Sequence, residues 1–407
     1  MLATSAARGD EAPRSLDPSV PVVCESGEGL DIMSIDYRLE TPLIREQLQV
    51  TLVDHTADSR VASFVESHPD GLPFHHPAWL QTLVDTYGYR AVALACEDDQ
   101  GNLHGFLPLV YRHGWLRGKA LWSLPHTPLA GPLATSDAAA TALVQAAVEL
   151  AEREVGQRLQ FKTLGPDLNQ RAPTLQRVEW YPTYVIPLPD RTGPLRIGAP
   201  GYHQDIRRGV RKATEYGLRA REGKSIDDLH AWYRLYLAGM RQKMSPPNPF
   251  RFFEAAWHHL HPRGFLRLIL IEQRSGGSSE LVGGAITVLV SQTAVGEGIG
   301  QRDGTSTLHL HDLLYWESLH IAWEAGCRSF DLGNVPTGQE GLARYKRKWG
   351  GVPHPVYRYF YPASPQNARL PSPTSLQQRM GRLGQAGWRR VPLAATAWIG
   401  SVVTHYL

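Results

Sequence analysis

Between Gly326 and Gly351 the chain reads GCRSFDLGNVPTGQEGLARYKRKWGG. An apolar strand over Ser329 to Leu332 runs into a Gly, Asn and Pro turn. A second glycine-containing loop then leads into a basic segment, Arg344 to Lys348. Glycines at a strand end let backbone approach a ligand, and cations beside aromatic rings suit a phosphate or a nucleotide. The same residues also compose a strand, a turn and a solvated helix. A second basic group lies upstream. Arg207/Arg211 and Arg208/Lys212 fall four apart on one helical face, opposite Ile206, Val210 and Ala213. His309-x-His311-Asp312 has ligand-type side chains, but positions two apart do not share a helix face. No third cluster follows at suitable spacing, so no metal centre is expected.

The composition limits what these residues can serve. With 407 residues and 45.3 kDa the chain is long enough for two domains with real cores. Hydrophobic residues make up 42% and charged ones 20%, as in a soluble globular protein. The net charge of +3 excludes a general polyanion binder, and no DNA partner is expected. Charge is uneven, however, because Arg196 to Lys224 holds eight Lys or Arg against three acids. Cys24, Cys96 and Cys327 are odd in number and far apart, which fits a reducing, cytoplasmic compartment.

The elements that must hold these groups follow from periodicity. Residues 1–40 are rich in Ala, Ser, Pro and acids and read as a disordered leader, with Met33 an alternative start. Residues 41–190 form a first domain. Its strands are Leu48–Val53, Arg90–Glu97, His104–Tyr111, Leu121–Leu124, Leu159–Leu164 and Thr183–Leu188, and its helices are Asp58–Ser67 and two that begin at Pro77 and Ala138. Pro189 to Pro200 is a Pro and Gly rich linker. Residues 191–362 form a second domain with helices over Leu229–Met240, Phe252–Leu260 and Leu308–Ala325. Its strands Phe265–Glu272, Leu281–Val290 and Thr293–Ile299 precede that last helix, which leads to the strand at Ser329. The second half repeats the coarse order of the first. Residues 363–407 are a linker and an amphipathic tail, of which 388–407 could touch the anionic inner-membrane face or dock on the second domain.

RRGVRKATEYGL (Arg207 to Leu218), LLYWESLHIAWEAGCRSFDLG (Leu313 to Gly333) and GLARYKRKWGG (Gly341 to Gly351) resemble the three signature blocks of the FemAB-like family. FHHPAWLQTLVDTYGY and GFLPLVYRHGWLRGKALWSLPHTPLAGPLA are similar to its branch from exopolysaccharide and exosortase loci. The resemblance covers about residues 48 to 362. It implies an α/β (α+β) fold of two tandem GNAT-like domains (BioF2-like in the second half), each a mostly antiparallel mixed sheet flanked by helices. It also implies an acyltransferase without permanent cofactor, moving an acetyl or aminoacyl group to an amine of a cell-envelope or exopolysaccharide precursor. The co-substrate would be acetyl-CoA, another acyl-CoA or aminoacyl-tRNA. Two further readings stand beside it, a tRNA-dependent aminoacyltransferase of the peptidoglycan-bridge type and a catalytically silent scaffold of a polysaccharide export system. Gln81 stands where the peptidoglycan enzymes carry a lysine. QFKTLGP (Gln160 to Pro166) lacks their aspartate before proline, which argues against a peptidoglycan substrate.

The resemblance also assigns roles. Arg207 and Arg208, with Arg211 and Lys212, stand in the block expected to hold substrate phosphates. Tyr345 and Lys346 match an aromatic-lysine pair, the lysine being expected near the donor phosphate or the developing oxyanion. Acyl transfer also needs a proton acceptor. Glu297 is a strand carboxylate in the right region, or else an edge-strand surface glutamate. Asp331 ends the last strand before a glycine, where it meets either a ligand or the N–H groups of its own turn.

Overall fold

In the computed structural model, residues 48–364 and 391–399 are described, apart from 115–117, 157, 165–167, 169–171, 244, 394 and 398. The leader lies outside them, as does the tail except for 363–364 and the described part of 391–399.

Two sheets repeat one design. The first runs β1 (Gln49–Val53), β2 (Arg90–Glu97), β3 (Leu103–Gly114), β4 (Gly118–Trp122), β6 (Leu159–Thr163), β15 (Tyr357–Tyr361), β7 (Gln176–Glu179), with the short β5 (Leu133–Ala134) on β3. The second runs β9 (Leu218–Gly223), β10 (Leu266–Ser275), β11 (Ser278–Val290), β12 (Thr293–Gln301), β13 (Ser329–Asn334), β8 (Thr183–Pro187), β14 (Val352–His354). In each, four antiparallel strands are followed by one parallel pair, β4 with β6 and β12 with β13. A long helix connects the members of each pair, α3 (Asp137–Val155) in the first and α7 (Leu310–Glu324) in the second. This is the right place for it, because a parallel pair needs a crossover.

The expected boundary at residue 190 does not divide the sheets. Thr183–Pro187 precedes the linker, yet it pairs with β13 in the second sheet. Tyr357–Tyr361, near the end of the second half, pairs with β6 and β7 in the first. Each half thus lends a strand to the other. Alternation in a sequence shows which residues of a strand face a core, but not which sheet accepts its hydrogen bonds.

The remaining helices are α1 (Ser59–Ser67), α2 (Pro77–Tyr87), α4 (His203–Glu215), α5 (Ile226–Gln242), α6 (Phe250–Leu260) and α8 (Glu340–Lys348). Pro77 starts α2, His76 caps it by accepting from Ala78 N, and Gly88 closes it at φ +68°. The apolar faces of α2 and α6 meet, Trp79 packing edge-on against Phe252 at 5.7 Å between centroids. One core therefore spans both halves: Trp79, Leu80 and Leu83 join Trp232, Phe252, Phe253 and Leu266. Helix α5 lies directly on β11 and β12 where glycines leave room. A Cβ on Gly300 would stand 2.6 Å from Tyr236 N, and one on Gly284 2.7 Å from Trp232 Cδ1. In the tail, Leu393 and Ala397 pack against this same core, and Arg241 donates to Val391 O at 3.2 Å. No helix among the described residues is long and apolar enough to cross a membrane.

Candidate active site

Strands β12 and β13 pair only through Thr293–Ser329, Ala294–Phe330 and Val295–Asp331, then part. Two features drive them apart. On one side β12 carries a bulge: Ile286 opposes Gly298 and Thr287 opposes Gly296, so Glu297 is the extra, unopposed residue. On the other, the end of β13 turns through Gly333 (φ +79°) and is drawn to β8 at Asn334. A cavity of about 270 Å³ opens in the gap. Its walls come from β11, β12, β13, α5 and α7, including Tyr236, Thr287, Tyr315, Phe330 and Leu332, with Glu297 on the bulge.

The first sheet has the same parting of parallel strands, but there the gap is plugged. After Trp122 the chain loops back. Ser123 N donates to Gln160 O, Ala130 N to Lys162 O, and Lys162 Nζ to Thr127 O. Gly131 lies so close that a Cβ would meet Thr163 Cβ at 2.9 Å. The second pair stays apart and encloses the cavity described above.

Glu297 is not the edge-strand surface residue of the simpler expectation. The bulge turns its carboxylate to the cavity, where it has no hydrogen-bond or ion-pair partner among the described residues, although its area is only half-buried. Burial alone raises its pKa from the ordinary 4.5 to about 8. Thr287 Oγ1 is likewise buried without a partner. Tyr236 OH accepts from Asn248 N at 3.1 Å, which leaves its own proton free to donate, and burial raises its pKa far above neutrality. The cavity so combines an unpaired carboxylate, the hydroxyl residues Tyr236, Thr287, Tyr315 and Ser318, the Lys243 side chain and apolar walls. That set can take a proton from a nucleophile and give one to a leaving group.

The other expected residues are not brought to this cavity. Asp331 is 2% exposed, and its carboxylate accepts from Thr183 Oγ1 and, at 2.7 Å, from Gly333 N. Alternation along β13 gives Phe330 and Leu332 to the cavity and leaves Asp331 tying β13 to β8. The expectation of a ligand-accessible carboxylate is corrected in favour of a turn acceptor. Lys346 is 4% exposed, and its ammonium donates to Leu332 O at 2.7 Å, Gly333 O at 2.8 Å and Asn334 O at 3.2 Å. All three N–H bonds are used on main chain, so it clamps the turn and has none left for a donor phosphate or an oxyanion. Burial lowers its pKa to about 8. Tyr345 stands edge-on to Tyr315 at 5.5 Å and so backs the cavity wall rather than lining it.

Helix α4 presents Arg207, Arg208, Arg211 and Lys212 to solvent. Arg208 pairs with Asp205 at 2.6 Å and Arg211 with Glu215 at 3.7 Å, while Arg207 lies 4.9 Å from the Trp316 ring centroid. They form an exposed basic face outside the cavity. At the start of α7, Asp312 accepts from His309 Nδ1 at 2.9 Å, with Lys348 at 3.7 Å. Tyr236, Thr287 and Ser318 were not singled out by the sequence reading. They sit on ordinary helical or strand positions, and only the bulge and the parting of β12 from β13 give them a shared cavity.

Comparison with known proteins matches this half to a described family. Residues 201–347 fit the model of the acetyltransferase (GNAT) domain. The second half carries a GNAT domain. The solved structure of FemX, 13% identical, superposes with a TM-score of 0.61 over 77% of this chain and 97% of its own. The C-terminal domain of a putative lysylphosphatidylglycerol synthetase from Agrobacterium fabrum, 14% identical, gives 0.52 over 77% and 95%. A conserved protein of unknown function from Bacteroides thetaiotaomicron, also 14% identical, gives 0.52 over 78% and 100%. No curated protein sequence matches the chain significantly. The fold is that of FemX, two like halves of mixed sheet flanked by helices, and the expected α/β fold class agrees with it. In the GNAT half, the parted strands β12 and β13 frame the cavity.

Proposed function

We propose that the protein is a GNAT-type acyltransferase that moves an acyl group from acyl-CoA to an amine, with Glu297 as the proton acceptor. One observation carries this reading: an unpaired carboxylate on a bulge, at the cavity between two parallel strands that part. A narrow gap of this kind suits an extended thioester arm, whose amide groups can pair with strand edges left open where β12 and β13 separate. The amine attacks the thioester carbonyl as Glu297 takes its proton. The C–S bond then breaks, and Tyr236 OH protonates the leaving thiolate. The acyl-CoA donor is supported by the GNAT match over residues 201–347. The acceptor, an amine on a cell-envelope or exopolysaccharide precursor, is supported by the resemblance of the first-half blocks and by the basic face of α4. The test is acetyl-CoA binding by calorimetry together with thiol release on adding an amine acceptor. Binding without turnover in Glu297→Gln is the expected result, and absence of acetyl-CoA binding in the wild type would sink the reading.

A further inference from the structure

The first half holds a group of cations that acyl transfer at Glu297 does not use. Lys162 on β6 and Arg358 on β15 are direct cross-strand partners. Lys162 is 6% exposed, and Thr127 O is the one acceptor its ammonium meets among the described residues. Two of its three N–H bonds are therefore unmatched. Arg358 lies 3.5 Å from the Trp180 ring centroid, and its Nε is buried without a partner. Arg112, 7% exposed, lies 4.3 Å from the Trp122 ring centroid and adds a third positive charge. Neither Lys162 nor Arg358 has a carboxylate at ion-pair distance among the described residues.

Like charges directly opposed across strands destabilise a sheet, and burying them costs more. The indole faces offset part of this. An oxyanion would supply the rest, since ammonium and guanidinium together match its oxygens. Trp180 and Tyr181 lead into β8, and Tyr181 O accepts from Asn334 Nδ2 at 2.7 Å at the end of β13, two residues beyond the cavity-lining Leu332. Arg358, stacked on Trp180, is thereby linked through Tyr181 to the end of the strand that walls the cavity.

We infer that Lys162 and Arg358 bind a phosphate or diphosphate carried by the acyl acceptor. The word acceptor rests on the acyltransferase reading above, whereas the anion site does not. Burial and the neighbouring Arg358 and Arg112 hold the Lys162 pKa well below its ordinary value, and Tyr181 is the further titratable group facing Arg358. An incoming oxyanion reverses that balance, so binding should draw a proton from solution.

The experiment is calorimetric titration of the full chain with inorganic pyrophosphate, with and without saturating acetyl-CoA, in two buffers of different ionisation enthalpy. The expected result is binding with proton uptake that persists when acetyl-CoA is present. Affinity should fall about ten- to hundredfold in Lys162→Met and Arg358→Met. If Lys162→Met does not fold, the half-buried Arg358→Met decides. Glucosamine 6-phosphate binding more tightly than glucosamine would assign the site to a phosphate-bearing amine rather than to free phosphate. Wild-type affinity in both variants, or no pyrophosphate binding in the wild type, overturns the proposal. Pyrophosphate binding without acetyl-CoA binding would remove the donor reading and leave the anion site in place.

Discussion

Thr183 donates its hydroxyl proton to the carboxylate of Asp331, a residue 148 positions further along the chain. The contact joins β8, the strand lent by the first half, to β13 of the second half, beside the turn that opens the cavity. Thr183→Val should lower stability by about 1–3 kcal/mol, because it leaves a buried acceptor short of one partner. Urea unfolding measures the loss, and an unchanged midpoint would show that the strand exchange does not depend on this pair.

Removing the carboxylate at the bulge tests the chemistry. Glu297→Gln keeps the shape of the cavity and should cut kcat by roughly 10²- to 10⁴-fold while acetyl-CoA affinity stays near that of the wild type. Steady-state kinetics with direct binding separates the two effects. A variant with full kcat would assign the proton to another group.

The raised pKa of Glu297 makes two pH predictions. As a base it must be ionised, so kcat/KM should rise with pH up to about 8 and then level, and the Gln variant should lose this limb. Stability moves the other way. With a folded pKa near 8 against an ordinary 4.5, the unfolded chain holds fewer protons between those values, so stability should fall as pH rises through that window. Thermal melts of wild type and Glu297→Gln should coincide below pH 4.5, and the variant should gain in Tm towards pH 8.

Lys346 clamps three carbonyl oxygens at the end of β13. Lys346→Met should cost about 2–4 kcal/mol, since it strands buried acceptors. Denaturant unfolding reads this, and acetyl-CoA affinity should weaken only as the cavity wall loosens. A stable variant that loses turnover alone would return Lys346 to the chemistry.

The basic face of α4 should matter little to stability. Arg211→Ala removes an exposed 3.7 Å pair and should change unfolding free energy by less than about 1 kcal/mol. A loss of acceptor binding that grows weaker with salt would show that the face recruits a charged substrate.

Local chemistry made much of the scaffold legible. Pro77 and Gly88 bracket α2, and the Ser291-Gln292 turn joins β11 to β12 because periodicity and turn residues act over a few positions. The repeated order of strands and helices was readable for the same reason, and it led to the tandem architecture. Strands β5, β7, β9, β14 and β15 were not read, being short or weakly alternating, with partners outside their own neighbourhood in the sequence.

What the sequence determined by itself was the kind of each long element and the repetition of the two halves. The tertiary structure decided which sheet received Thr183–Pro187 and Tyr357–Tyr361, because pairing energy depends on strands that meet only after folding. It also decided the fates of the charged groups. Glu297 became the unpaired carboxylate because a bulge has no periodicity to announce it. Lys346 turned inward because three carbonyls converge there, and Lys162 met Arg358 because an exchanged strand placed them opposite one another.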